Sequence, residues 1–101
     1  MENFFDHPRP SYTFEIFPPK GNKSTEGTYG VIDSLASFNP DLISVTYGAG
    51  GSSRDNTVEI ASGIQNRYNT NGVAHLTCVG TTRAELKAIL DQLKANGVRN
   101  I

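Results

Sequence analysis

A single cysteine, Cys78, one methionine and no tryptophan occur in the 101 residues. One thiol cannot close an internal disulfide, which fits a reducing compartment and predicts a cytoplasmic location. No stretch approaches the ~20 apolar residues that a membrane-spanning helix requires. Residues 1–9 are polar and include Glu2 and Asp6, unlike a signal peptide. Neither sign of charge dominates: nine Lys and Arg face ten Asp and Glu, for a net charge of −1. No two basic residues are adjacent, so the concentrated basic face used to bind nucleic acid or an anionic membrane is missing. These absences leave the composition of a soluble globular protein with room for one small domain.

What is present is an alternation of strand and helix signals. Residues 12–17 are β-branched or aromatic apart from Glu15, and Pro18-Pro19 stops them, which predicts a first strand. Ser24 or Thr25 can cap a helix running to about Phe38, with Val31, Ile32, Leu35 and Phe38 at helical spacing. Asn39-Pro40-Asp41 reads as a turn, residues 42–47 as a second strand and Gly48 to Ser53 as a loop. A second helix over about 54–68 shows Val58, Ala61, Ile64 and Tyr68 on one side. Residues 69–72 are turn-like, and 73–79 form a third strand. Thr82-Arg83-Ala84-Glu85 is a capping box for a third helix with the stripe Leu86, Ile89, Leu90 and Leu93. Gly97 stands where a left-handed residue ends a helix, and residues 98–101 begin a fourth strand. The pattern βαβαβαβ predicts a parallel α/β fold. An end inside a strand predicts the N-terminal portion of a (β/α)8 TIM barrel, about three βα units plus the start of a fourth strand, since a full barrel takes roughly 250 residues. A complete small open α/β domain is the other reading.

Side chains alternate across a strand. In the first, Tyr12, Phe14 and Ile16 oppose Thr13, Glu15 and Phe17. In the second, Ile43, Val45 and Tyr47 oppose Leu42, Ser44 and Thr46. In the third, Ala74, Leu76 and Cys78 oppose Val73, His75, Thr77 and Val79. One apolar face per strand suits helices. The other gathers Glu15, Ser44, Thr46, His75 and Thr77, which a parallel barrel would direct inward. Glu15 is either a solvent-facing edge acid or a carboxyl in an apolar wall of Phe14, Ile16 and Phe17, poised as a general acid. His75 is either a satisfied core histidine or a hydrogen-bond partner for a cofactor. His75, His7 and Cys78 make no metal site, because parity separates His75 from Cys78 and His7 lies in the N-terminal tail. Cys78 is expected to pack as a small hydrophobe. The glycine-rich loop after the second strand fits neither standard nucleotide-binding motif, and a plain connection is its default reading.

The same residues carry a family resemblance. Phe14-Glu15-Ile16-Phe17-Pro18-Pro19-Lys20 resembles the "FEFFPPK" opening of the methylenetetrahydrofolate reductases. The run Ser44-Val45-Thr46-Tyr47-Gly48-Ala49-Gly50-Gly51-Ser52-Ser53-Arg54-Asp55 is similar to their "SVTYGAGGSTRD" block, and His75-Leu76-Thr77-Cys78 to "HLTC". Gly97-Val98-Arg99-Asn100-Ile101 resembles the start of "GIRNILALRGD". The blocks occur in order and span almost the whole chain.

The resemblance implies a (β/α)8 flavoprotein that uses FAD to pass a hydride from NAD(P)H to 5,10-methylenetetrahydrofolate, giving 5-methyltetrahydrofolate. It implies that Glu15 matches the catalytic acid that helps open the substrate ring, and that Thr46, Tyr47, Ala49 and His75 match positions near the flavin or nicotinamide. The family's "LRGD" aspartate falls past Ile101, so the 101 residues alone are expected to be inactive. The implied partner is a folate substrate, without nucleic acid or membrane, and a homo-oligomer of the full-length enzyme is admitted. The alternative is a truncated, non-catalytic remnant or binding module of the same fold. Glu15 in an apolar strand favours the enzyme.

Overall fold

The computed structural model describes residues 6–20, 23–47 and 54–101. Its elements alternate as β1 (Thr13–Ile16), α1 (Glu26–Ala36), β2 (Leu42–Val45), α2 (Arg54–Arg67), β3 (Asn71–Ala74) and α3 (Arg83–Ala95). The strands form one parallel sheet in the order β1-β2-β3. Glu15 pairs with Ser44 and Ser44 with Val73, while Ile16 pairs with Val45 and Val45 with Ala74. The ladder runs one rung past the strand ends: Thr46 N–H donates to Ile16 O at 3.0 Å, and His75 N–H to Val45 O at 3.0 Å.

All three helices share the core with one face of this sheet. Ile16, Ile43, Val45 and Ala74 are buried with Ile32 of α1, Val58, Ile60, Ala61 and Ile64 of α2, and Ile89 and Leu93 of α3. On the opposite face Glu15 and His75 are exposed, and Ser44, Thr46 and Val73 are half-buried. The alternation expected for β1 and β2 therefore holds, and it leaves one face free of helices.

Local signals act at the helix ends. The Thr82 Oγ1 accepts from Glu85 N–H at 3.2 Å, and Glu85 Oε2 accepts from Thr82 N–H at 2.8 Å, completing the capping box. At the other end of α3, Gly97 has φ +78. Its N–H donates to Lys94 O at 3.1 Å while Val98 N–H donates to Leu93 O at 2.9 Å, a Schellman closure. Of the two candidates at the start of α1, Ser24 takes the capping role: its Oγ accepts from Glu26 N–H at 3.2 Å. Thr25 instead donates to Glu59 Oε1 of α2 at 3.1 Å. Asn39 turns the chain with φ 52, a left-handed position that asparagine occupies more readily than most residues.

Several expectations are corrected. The third strand lies earlier than residues 73–79. Asn71 and Gly72 belong to it because Asn71 Nδ2 donates to Asp41 O at 3.0 Å and Gly72 N–H to Gln65 Oε1 at 3.1 Å. Residues 75–78 have no regular structure, so Cys78 is exposed rather than packed, and Val79 is exposed as well. The expected fourth strand is a single parallel bridge between Val73 and Asn100, with Ala74 N–H donating to Asn100 O at 3.1 Å. The first helix ends at Ala36, short of Phe38; within it Ile32 is buried but Val31 is exposed, and so is Phe38 beyond it. The Phe38 ring instead meets Phe14 edge-on at 6.3 Å, beside a Tyr12–Phe14 contact of the same kind.

The outer edge of β1 pairs with no strand among the described residues. A groove of about 400 Å3 lies between β1 and α1, lined by Glu15 as well as Phe14, Ile16, Phe17, Val31 and Leu35.

Candidate functional site

Glu15 sits one residue before the end of β1 on the helix-free face. Its neighbours Phe14 and Ile16 point to the helix side, so the strand holds the carboxylate outward on a rigid element. His75 is the first residue after β3, fixed by its N–H bond to Val45 O. Although β2 separates their strands, the two side chains meet over it: His75 Nε2 lies 3.4 Å from Glu15 Oε1. Both stay about half exposed, at 44% and 52%. Ser44 occupies the rung between Glu15 and Val73, and Thr46 the next position of the same parity.

Thr46 is half-buried directly after β2, and so is Tyr47. Ala49 and the rest of the glycine-rich loop, residues 48–53, lie outside the described residues. Thr77, expected on the same face, is exposed in the irregular segment beyond β3. The structure thus brings Glu15, Thr46 and His75 to the carboxyl end of one sheet face, the end that carries sites in parallel α/β folds.

A larger open groove, about 600 Å3, lies among the helices and is lined by Tyr29, Glu59, Gly63, Arg67 and Asn96 among others. It touches none of Glu15, Thr46, Tyr47 and His75. Tyr29 packs against Gly63 within it, under the Arg67 guanidinium at 4.6 Å from the ring.

Two residues of consequence escape the parity argument. Thr57 is the one buried polar side chain among the described residues, 1% exposed, and its hydroxyl donates to Thr46 O at 2.9 Å. Asn56 Nδ2 donates to Pro19 O at 3.4 Å. A signal for Thr57 was available: it falls on the helical stripe with Ala61 and Ile64, where a hydroxyl must find a partner.

An acid with an imidazole 3.4 Å away, at ion-pair distance, can present a proton to a ligand on the open face, and flanking hydroxyls can orient a polar ligand edge. Among the described residues no three His, Cys, Asp or Glu side chains gather as a metal site, and no helix is long and apolar enough to cross a membrane.

A sequence model of the methylenetetrahydrofolate reductase family matches residues 1–101. The 5,10-methylenetetrahydrofolate reductase of Salmonella typhimurium is 39% identical over 89 residues, covering 88% of this chain and 30% of that protein. Its namesake from Escherichia coli matches to the same extent, 39% over 89 residues, with 88% and 30% covered. Methylenetetrahydrofolate reductase (NADH) 1 of Arabidopsis thaliana is 36% identical over 91 residues, covering 90% of this chain and 15% of that protein. The chain therefore spans under a third of the length of these relatives. Because the family model matches all 101 residues of this chain, the chain belongs to the methylenetetrahydrofolate reductase family.

Proposed function

We propose that these residues form the opening part of a (β/α)8 barrel that reduces 5,10-methylenetetrahydrofolate to 5-methyltetrahydrofolate with FAD and NAD(P)H. The observation that carries this reading is the convergence of Glu15 and His75, 3.4 Å apart, on the helix-free face. A parallel sheet with helices on one side, a bridge starting a fourth strand and a β1 edge that pairs with no strand among the described residues suit a barrel wall. The NADH in the Arabidopsis relative's name supports a nicotinamide as the reductant.

The chemistry of the side chains fits a flavin. A flat ring with a polar rim needs an open surface and hydrogen-bonding groups at its edge. The helix-free face offers Val73 as an apolar surface and Thr46 and His75 as edge partners. Thr46, Tyr47 and His75, with Ala49 by family match, would hold the group. When bound, FAD supplies the hydride relay between nicotinamide and folate. Glu15 donates a proton to the substrate ring nitrogen as the ring opens, leaving a carbon able to accept hydride. His75 Nε2, next to Oε1, keeps the carboxyl turned toward the open face. A mere binding module has no use for that pairing. On this reading the 101 residues alone do not turn over, because much of the flavin and folate sites comes from later strands. The enzyme acts in the cytoplasm on a folate, without nucleic acid or membrane.

The reading is tested on the purified full-length protein. It should carry a flavin absorption spectrum and oxidise reduced nicotinamide with methylenetetrahydrofolate as acceptor. A protein that takes up no FAD and leaves the folate unchanged would overturn it.

A further inference from the structure

Three hydrogen bonds meet at the end of β2. Thr46 N–H is fastened to Ile16 O of β1, and Val45 O to His75 N–H after β3, both at 3.0 Å. Thr46 O accepts from the Thr57 hydroxyl at 2.9 Å. The Thr46 residue is thus tied to β1 on one side and to the first turns of α2 on the other. Thr57 is 1% exposed, so its bond is shielded from competing water. Next to it, Asn56 reaches Pro19 O at the corner that ends β1. The helix-side residues Asn56 and Thr57 therefore grip the ends of two neighbouring strands from behind, while Glu15, Thr46 and His75 occupy the front.

We propose that Thr57, assisted by Asn56, is a positioning residue: it sets the height and spacing of the strand ends that present Glu15, Thr46 and His75. Thr57 touches no substrate. It acts through the Thr46 carbonyl, and through the Ile16–Thr46 and Val45–His75 bonds that this carbonyl's segment shares. The inference rests on reading this face as the flavin site, and its test separates the two.

Thr57→Val keeps shape and burial but removes the hydroxyl, whereas Thr57→Ser keeps the hydroxyl and removes a buried methyl. Hydrogen exchange in the full-length protein reads the clamp directly. In Thr57→Val the amides of Thr46 and His75 should exchange about tenfold faster, as for one lost hydrogen bond. The Asp41 amide, bonded to Tyr12 O at the opposite end of the sheet, should not change. Flavin affinity, from quenching of FAD fluorescence, should fall by about the same factor. Thr57→Ser should lower thermal stability yet leave exchange and affinity within about threefold of wild type. Tyr68→Phe, which removes a bond from Tyr68 to Asp33 beyond the far end of α2, should leave affinity unchanged. Equal behaviour of the Val and Ser variants, unchanged exchange in Thr57→Val, or unchanged affinity despite faster exchange overturns the proposal. If the wild-type protein takes up no flavin, the functional reading fails, and the exchange pattern alone decides for or against the clamp.

Discussion

Glu15 Oε1 and His75 Nε2 stand 3.4 Å apart although their strands are not neighbours. The contact follows from register. Glu15 is level with Ser44 and Val73, and His75 stands two residues beyond Val73 on the same face. A one-residue slip of β3 would turn His75 to the helix side, so the sheet pairing itself aligns acid with imidazole.

On the proposed reading, His75→Ala weakens flavin retention roughly tenfold, the effect of losing one hydrogen bond. The measurement is FAD content and visible spectrum of the full-length protein after dialysis. Unchanged flavin content and spectrum would remove His75 from the cofactor site.

The opposite end of the sheet is held by charge. Arg9 forms a two-pronged pair with the Asp41 carboxylate, which also accepts Tyr12 N–H at 3.0 Å. The Arg9 hydrogen bond, aided by Tyr12 N–H, lowers the Asp41 carboxyl from 3.8 to about 2. The folded state thus binds this proton more weakly than the unfolded chain. The stabilisation is complete above about pH 4 and is lost as the pH falls toward 2. Thermal unfolding of Asp41→Asn should accordingly show a shallower loss of Tm than wild type between those values. Parallel acid limbs would contradict it.

Gly72 is buried in β3 where the strand crosses α2. A Cβ there would overlap the backbone carbonyl oxygen of Ala61, which cannot swing aside as a side chain can. Gly72→Ala should therefore cost about 1–3 kcal/mol by urea unfolding. A variant of wild-type stability would show that the strand and helix separate freely.

The contrast between β1 and β3 shows what the sequence could carry. For β1, alternation and the Pro18-Pro19 stop are local, and they place Glu15 on the correct face. The capping box of Thr82 and Glu85 and the Gly97 closure are equally local, and both form as read. In β3 the local signal misleads. Asn71-Gly72 reads as a turn, but bonds that they donate to Asp41 O, thirty residues away, and to Gln65 Oε1 of the preceding helix draw them into the sheet. The strand then ends at Ala74, so Cys78 emerges into solvent. The face of His75 survives this shift because parity does not depend on where a strand starts. The meeting of His75 with Glu15 needs the register of three strands, which no single stretch encodes. Thr57 is legible only in part: its place on the helical stripe calls for a partner, but that partner, the Thr46 carbonyl, is a backbone atom of another element that no motif names.

The central claim is that Glu15 supplies a proton to the folate, and the two half-reactions separate that role from simple binding. Hydride transfer from nicotinamide to flavin calls for geometry, whereas opening the folate ring calls for an acid. Stopped-flow measurement of both halves in full-length Glu15→Gln is the direct test. The account predicts retained FAD, near wild-type reduction by NAD(P)H, and a folate half-reaction slowed by about 10²–10⁴-fold. Transfer of hydride to methylenetetrahydrofolate at near wild-type rate in that variant would contradict it.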